Sequence, residues 1–228
     1  MVGRFFSGRH PGDGETMMLL SGPPGSGKTS LLFQFAFNCA LGNRGDVVFI
    51  CNRRRMEAKP PCLSQGIDPT SDVFQRIRMK YIEDDEGIKQ YFAAFHLLHT
   101  FPAAVIVDDF GGFFDERSCQ DRYGNQRGRD IAMVRTLSLG WDAVSHANKS
   151  SAEPCKILLA DTHQGDNPRL LFIYKRWIPC IFTIKADGSG SFTLRKSSVS
   201  VKPSSEKGRA AEYSIALQYL VLQRMIDD

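Results

Sequence analysis

The stretch Gly22-Pro23-Pro24-Gly25-Ser26-Gly27-Lys28-Thr29 decides the fold, because it meets G-x-x-x-x-G-K-[ST] at every fixed position. An apolar run, Met17-Met18-Leu19-Leu20, precedes it as a short strand. A helix-period stretch follows, with Leu31, Leu32, Phe35, Ala36 and Cys39 on one face. The glycines let backbone N–H groups turn inward around a β-phosphate, and the opening helix points its positive end at the same oxygens. Lys28 then reaches the β- and γ-phosphates, and the Thr29 hydroxyl holds Mg²⁺. With Ser30 closing the segment, residues 22–30 are the expected contacts to a nucleoside triphosphate, read as ATP.

Farther along, Asp46-Val47-Val48-Phe49-Ile50-Cys51 reads as a buried strand, separated from the first helix by Gly42 and Gly45. A loop with Pro60, Pro61 and Pro69 leads to Arg76-Ile77-Arg78-Met79-Lys80-Tyr81, whose alternation predicts a half-exposed strand. Ile88, Tyr91, Phe92, Phe95 and Leu98 predict a helix over 86–100. Ala103-Ala104-Val105-Ile106-Val107 then runs as a strand into Asp108-Asp109. Ile131, Val134, Leu137, Trp141 and Val144 mark another helix, and Lys156-Ile157-Leu158-Leu159-Ala160-Asp161 a further buried strand. This alternation predicts an α/β fold with a mainly parallel sheet and helices on both faces.

Beyond residue 177 the pattern changes. Ile178 to Lys185 and Ser191 to Lys196, around Asp187-Gly188-Ser189-Gly190, predict an antiparallel hairpin. A polar linker around Pro203-Ser204-Ser205 leads to an expected terminal helix over 208–226. The expected organisation is a core over 1–200 with a short N-terminal extension, and a linker and C-terminal helix over 201–228.

The chain has 228 residues and a net charge of +4, which permits an anionic partner without requiring one. Arg4, Arg9 and His10 precede no apolar run, so no secretory signal is expected, and no stretch has the length to span a bilayer. The six cysteines are far apart and form no C-x-x-C pair, which argues against a zinc knuckle or a disulfide framework. A nuclear or cytosolic location follows, between which composition does not choose.

Asp108 ends the apolar strand 103–107, where a carboxylate orients Mg²⁺ through water and completes the coordination begun by Thr29. Asp109 is either a neighbour of that site, a stand-in base, or a solvated carboxylate.

These landmarks resemble the RecA-type recombinase core, and in particular the short recombinase paralogues that partner a SWIM-type zinc-finger protein in Shu-type complexes. The resemblance rests on the order of several pieces. Val105-Ile106-Val107-Asp108-Asp109, Phe113-Phe114-Asp115, Arg122-Tyr123-Gly124 and Gly128-Arg129 resemble the segment holding the recombinases' first DNA loop. Ile67-Asp68-Pro69 with Arg76 to Tyr81 is similar to a stretch of the SWIM-partner ATPase. Thr162-His163-Gln164 matches the place of the family's polar sensor, which implies a nucleotide contact for Gln164. The likeness covers residues 15–200 and implies a RecA-like P-loop core. The amino-terminal DNA-binding domain of full-length recombinases is expected to be missing.

One departure stands out. RecA-type ATPases carry a catalytic glutamate just after the second strand, whereas Asn52-Arg53-Arg54-Arg55 follows here and puts Arg53 at that position. Arginine stays protonated and is no general base. Slow hydrolysis is therefore expected, with Lys28, Asp108 and Asp109 as the residues acting on nucleotide.

The resemblance also implies single-stranded DNA binding. Loop 110–130 offers Arg117, Arg122, Tyr123, Arg127 and Arg129, although its own carboxylates cancel its charge. Segment 164–177 resembles a shortened second DNA loop with Arg169, Lys175 and Arg176. Implied partners are a SWIM-type zinc-finger protein and recombinases or their paralogues, with a nuclear role in homologous recombination. Two other readings stay open: a P-loop kinase of nucleotides or small molecules, and a non-hydrolysing ATP-bound scaffold subunit.

Overall fold

The computed structural model describes residues 16–42, 45–151, 153–163, 170–198 and 209–227. The expected N-terminal extension and the linker around Pro203 lie outside these residues.

Six parallel strands form the middle of the sheet: β1 (Met17–Gly22), β2 (Val47–Cys51), β4 (Ile77–Tyr81), β5 (Ala104–Val107), β6 (Lys156–Thr162) and β7 (Cys180–Ala186). Three antiparallel steps then extend it through β8 (Ser191–Ser198), β9 (Arg209–Ala216) and β10 (Tyr219–Asp227). A two-residue strand, β3 (Leu63–Ser64), closes one edge, giving the order β3-β10-β9-β8-β7-β1-β6-β5-β2-β4.

The central strands are apolar on both sides, as strands covered by helices on both faces must be. Met17 and Leu19 of β1 point into one core, shared with Val105 and Val107 of β5 and Ile157 and Leu159 of β6. Met18 and Leu20 point into the opposite core, with Phe49, Ile106, Leu158 and Phe182. Helix α1 (Lys28–Gly42) covers the second core with Leu31, Leu32, Phe35 and Ala36. Helices α3 (Asp85–Ala93) and α5 (Gln126–Ser150) cover the first, α5 through a stripe of Met133, Leu137, Gly140, Val144 and Ala147.

Side-chain caps fix where these helices begin. Asp84 accepts from the Gly87 N–H at the start of α3, and Asn125 from the Gly128 N–H at the start of α5. Among the described residues no helix is long and apolar enough to cross a membrane, and the cysteines form no disulfide.

Two expectations are corrected. The helix expected over 208–226 is instead the hairpin β9–β10. Ala211 and Tyr213 alternate into the core on β9, with Leu220 on β10, so the apolar residues obey a period of two. The expected loop 110–130 is largely helical. It comprises a 3₁₀ turn at Phe110–Phe114, helix α4 (Arg117–Tyr123) and the first turn of α5. Segment 164–177 likewise holds a short helix, α6 (Leu171–Trp177), while Gln164 and Arg169 lie outside the described residues.

Candidate nucleotide-binding site

Strand order places β6 between β1 and β5, so the carboxyl ends of all three converge on one edge of the sheet. Ligands of open α/β sheets bind there. The loop after β1 turns at Gly25 and Gly27, each with φ +75°, a conformation open to glycine and strained for other residues. At Gly27 a side chain would also collide with Ile215 of β9, whose Cδ1 lies 2.7 Å from where its Cβ would stand.

Lys28 opens α1 and is 8% exposed. Its ammonium donates to the carbonyls of Gly22 (3.0 Å) and Pro23 (2.8 Å), so it lies across the loop it is expected to serve. Burial lowers its pKa, opposed by the nearby charges of Asp109, Asp108 and Asp161. The Thr29 hydroxyl donates to the Asp108 carboxylate at 2.9 Å. Asp108 is lifted to about 6, chiefly by burial.

Hard oxygen donors from Thr29 and Asp108, held together at the mouth of a glycine-turned loop, form a set suited to hydrated Mg²⁺. The backbone N–H groups and Lys28 suit the phosphates it would accompany. The residues present therefore fit MgATP. Ser30 takes no part in this arrangement: its hydroxyl accepts from the Cys62 N–H at 2.9 Å and fastens α1 to the segment before β3.

Asp109 sits in the left-handed region (φ 52°, ψ 51°), a conformation that costs a residue with a Cβ. Its carboxylate is fully engaged, by Arg55 on one oxygen and by the Thr162 hydroxyl (3.2 Å) on the other.

Arg55 belongs to α2 (Arg53–Ala58), the helix that begins directly after β2. Asn52 caps that helix by accepting from the Arg55 N–H, and Arg53 turns away to stack over the Tyr81 ring, 4.5 Å from its centroid. Glu57 is solvent-exposed and has only a loose pairing with Arg53. Thus the side chain after β2 that faces the site is a guanidinium, which also reaches Glu116 at 2.6 Å.

Sequence reasoning missed Asp161, although it ends an apolar strand just as Asp108 does. It is 6% exposed and lifted from 3.8 to about 6 by burial, beside the Tyr174 hydroxyl. Gly111 makes room for it, since a Cβ there would strike the Asp161 carboxylate. Next to it His163 is buried, with Nδ1 2.9 Å from the Ser21 hydroxyl.

The residues expected to hold DNA divide. Arg117 and Arg127 stand in solvent, as do Lys175 and Arg176 on α6. Arg122 is committed to Asp85, a buried carboxylate, and to Asp84 at 3.4 Å. Tyr123 packs partly into the core, and Arg129 bonds to Gln126 within α5. A residue missed by sequence reasoning is Phe172, 68% exposed on the same side of α6 as Lys175 and Arg176.

No protein-family model matches the chain. A stretch of 71 residues is 39% identical to the ATPase SWSAP1 of Homo sapiens, taking in 31% of this chain and 29% of that protein. The chain thus spans less than a third of that relative in the match. Among solved structures, that of a KaiC-like protein from the hyperthermophilic archaeon Pyrococcus horikoshii superposes with a TM-score of 0.57. It covers 92% of this chain and 90% of the other at 14% identity. The fold is therefore that of a RecA-like P-loop core with an antiparallel extension, and the two comparisons bear out the resemblance read from the sequence.

Proposed function

We propose that this chain is an ATP-binding recombinase paralogue that supports homologous recombination in the nucleus. It binds single-stranded DNA and a SWIM-type zinc-finger partner, and it assembles or stabilises recombinase filaments. The observation that carries the nucleotide reading is the grouping of Lys28, Thr29 and Asp108 around a loop turned by Gly25 and Gly27. The stretch 39% identical to a human ATPase supports it.

Hydrolysis is slow in this reading. Among the described residues no carboxylate after β2 faces the site, and the side chain that does is the Arg55 guanidinium, which stays protonated and is no general base. Phe172 with Lys175 and Arg176 supplies a face on which a base can stack and phosphates can be held.

Calorimetry on the purified chain tests the proposal. MgATP should bind with measurable heat, and Lys28→Ala should weaken that binding at least tenfold, the order expected for losing a charge-assisted contact. Single-stranded DNA should bind more weakly to a Phe172→Ala, Lys175→Ala double variant, with a shallower salt dependence. Wild-type protein that is folded yet shows no heat with MgATP ends the reading.

A further inference from the structure

The carboxylate that RecA-like ATPases place after the second strand is replaced here by a guanidinium that faces the site, and its partners are telling. Arg55 grips Asp109, the direct neighbour of Asp108, and its charge is felt at Asp108 as well. It also holds Glu116, the residue at the N-cap of α4. Room for this arrangement comes from Gly112, where any Cβ would collide with both the Arg55 guanidinium and the Asp109 carboxylate. Gly111 and Gly112 therefore each clear space for a different charged side chain at the site, one for Asp161 and one for Arg55.

We propose that Arg55 is the residue that distinguishes ATP from ADP: it rests on Asp109 and Glu116 without nucleotide and transfers to the γ-phosphate when MgATP binds. The inference rests on the ATP reading above and deepens it.

Three physical points carry it. Arg55, Asp109 and Glu116 are 46%, 31% and 34% exposed as side chains, and ion pairs so open to water contribute little and exchange at small cost. A guanidinium presents a planar fork that matches phosphate oxygens, better than a lysine's point charge does. Asp109 does not depend on Arg55 for its position, because its second oxygen is held by Thr162 on β6. When Arg55 leaves Glu116, the start of α4 loses a tie to α2, which links the phosphate end of the nucleotide to the segment 110–123 expected to meet DNA.

The test is calorimetric titration of MgATP and MgADP into the full chain, the wild type beside Arg55→Ala, Arg55→Lys and Glu116→Gln, with melting temperatures measured without nucleotide. Wild type should prefer ATP by roughly tenfold or more, the order of a bidentate charge-assisted contact. Arg55→Ala should bring the ratio close to one while leaving MgADP affinity within about twofold, and Arg55→Lys should recover only part of the preference. Glu116→Gln removes a resting partner, so it should strengthen MgATP binding and leave MgADP unchanged. A wild-type ATP-to-ADP ratio in Arg55→Ala, or equal losses for both nucleotides, overturns the assignment while leaving the ATP reading intact. Failure of the wild type to bind MgATP overturns both.

Discussion

At the scale of single residues, the site sets a buried carboxylate, Asp161, close to the buried Lys28. Asp161 makes the consequence measurable. Burial lifts it from 3.8 to about 6, so the folded protein retains its proton between about pH 4 and 6, where the unfolded chain has already lost it. Folding stability contributed by this group therefore falls as pH rises through that window and is level above it. Asp161→Asn cannot ionise. It should be more stable than wild type at pH 7.5, by up to about 2–3 kcal/mol for a shift of this size, with the advantage gone by pH 4. Urea unfolding across that pH series checks it, and parallel curves for the two proteins would contradict it. The same residue shows why the site was only partly legible. Lys28, Thr29 and Asp108 announce themselves by local spacing. Asp161 and Arg55 gain their roles from neighbours 50 or more positions away, as in the Arg55–Asp109 and Gly111–Asp161 contacts.

At the scale of elements, the parallel strands and their helices were readable because each carries its own period and stop. The C-terminal hairpin was not, and its turn explains the failure. Ala216 pairs with Tyr219, so Leu217 and Gln218 alone make the turn, with φ of 50° and 63°. Two-residue turns of this hand favour Asn-Gly, and without that dipeptide the segment lacks its strongest hairpin signal. Leu217 is moreover 92% exposed, so it contributes almost no burial in return for its backbone strain. Replacing the pair by Leu217→Asn with Gln218→Gly should raise stability by about 1–2 kcal/mol, since each left-handed non-glycine residue is disfavoured by that order. Thermal unfolding of the double variant decides the matter; a lower melting temperature would show that the turn is held by something other than local geometry. The 110–130 segment was misread for a related reason. Its glycines and charges resemble loop composition, yet Gly111 and Gly112 serve close packing against Asp161 and Arg55, and Arg122 is spent on Asp84 and Asp85.

At the scale of the molecule, the sequence predicts a core over 1–200 followed by a linker and C-terminal tail over 201–228, and the described strands form one sheet from β4 to β3 that includes β9 and β10. The tail is joined to the phosphate loop itself. The Tyr213 hydroxyl on β9 donates to the Ser26 carbonyl at 2.7 Å, and Ile215 fills the space beside Gly27. Tyr213, Ala211 and Leu220 are buried in the core that α1 also covers, so removing β9 and β10 would expose that core and leave β8 as a bare edge. A chain ending at Ser200 should consequently melt at least roughly 10 °C lower or fail to fold, because several fully buried side chains at about 1.5–3 kcal/mol each are lost. Tyr213→Phe isolates the single contact: it leaves the Ser26 carbonyl buried without its donor, at a cost of about 1–3 kcal/mol. Since that carbonyl belongs to the loop proposed to receive the phosphates, the variant should also bind MgATP more weakly than its modest loss of stability alone would explain. Calorimetry at a temperature where both proteins are fully folded separates the two effects. Unchanged affinity there would mean that β9 supports the sheet without shaping the loop.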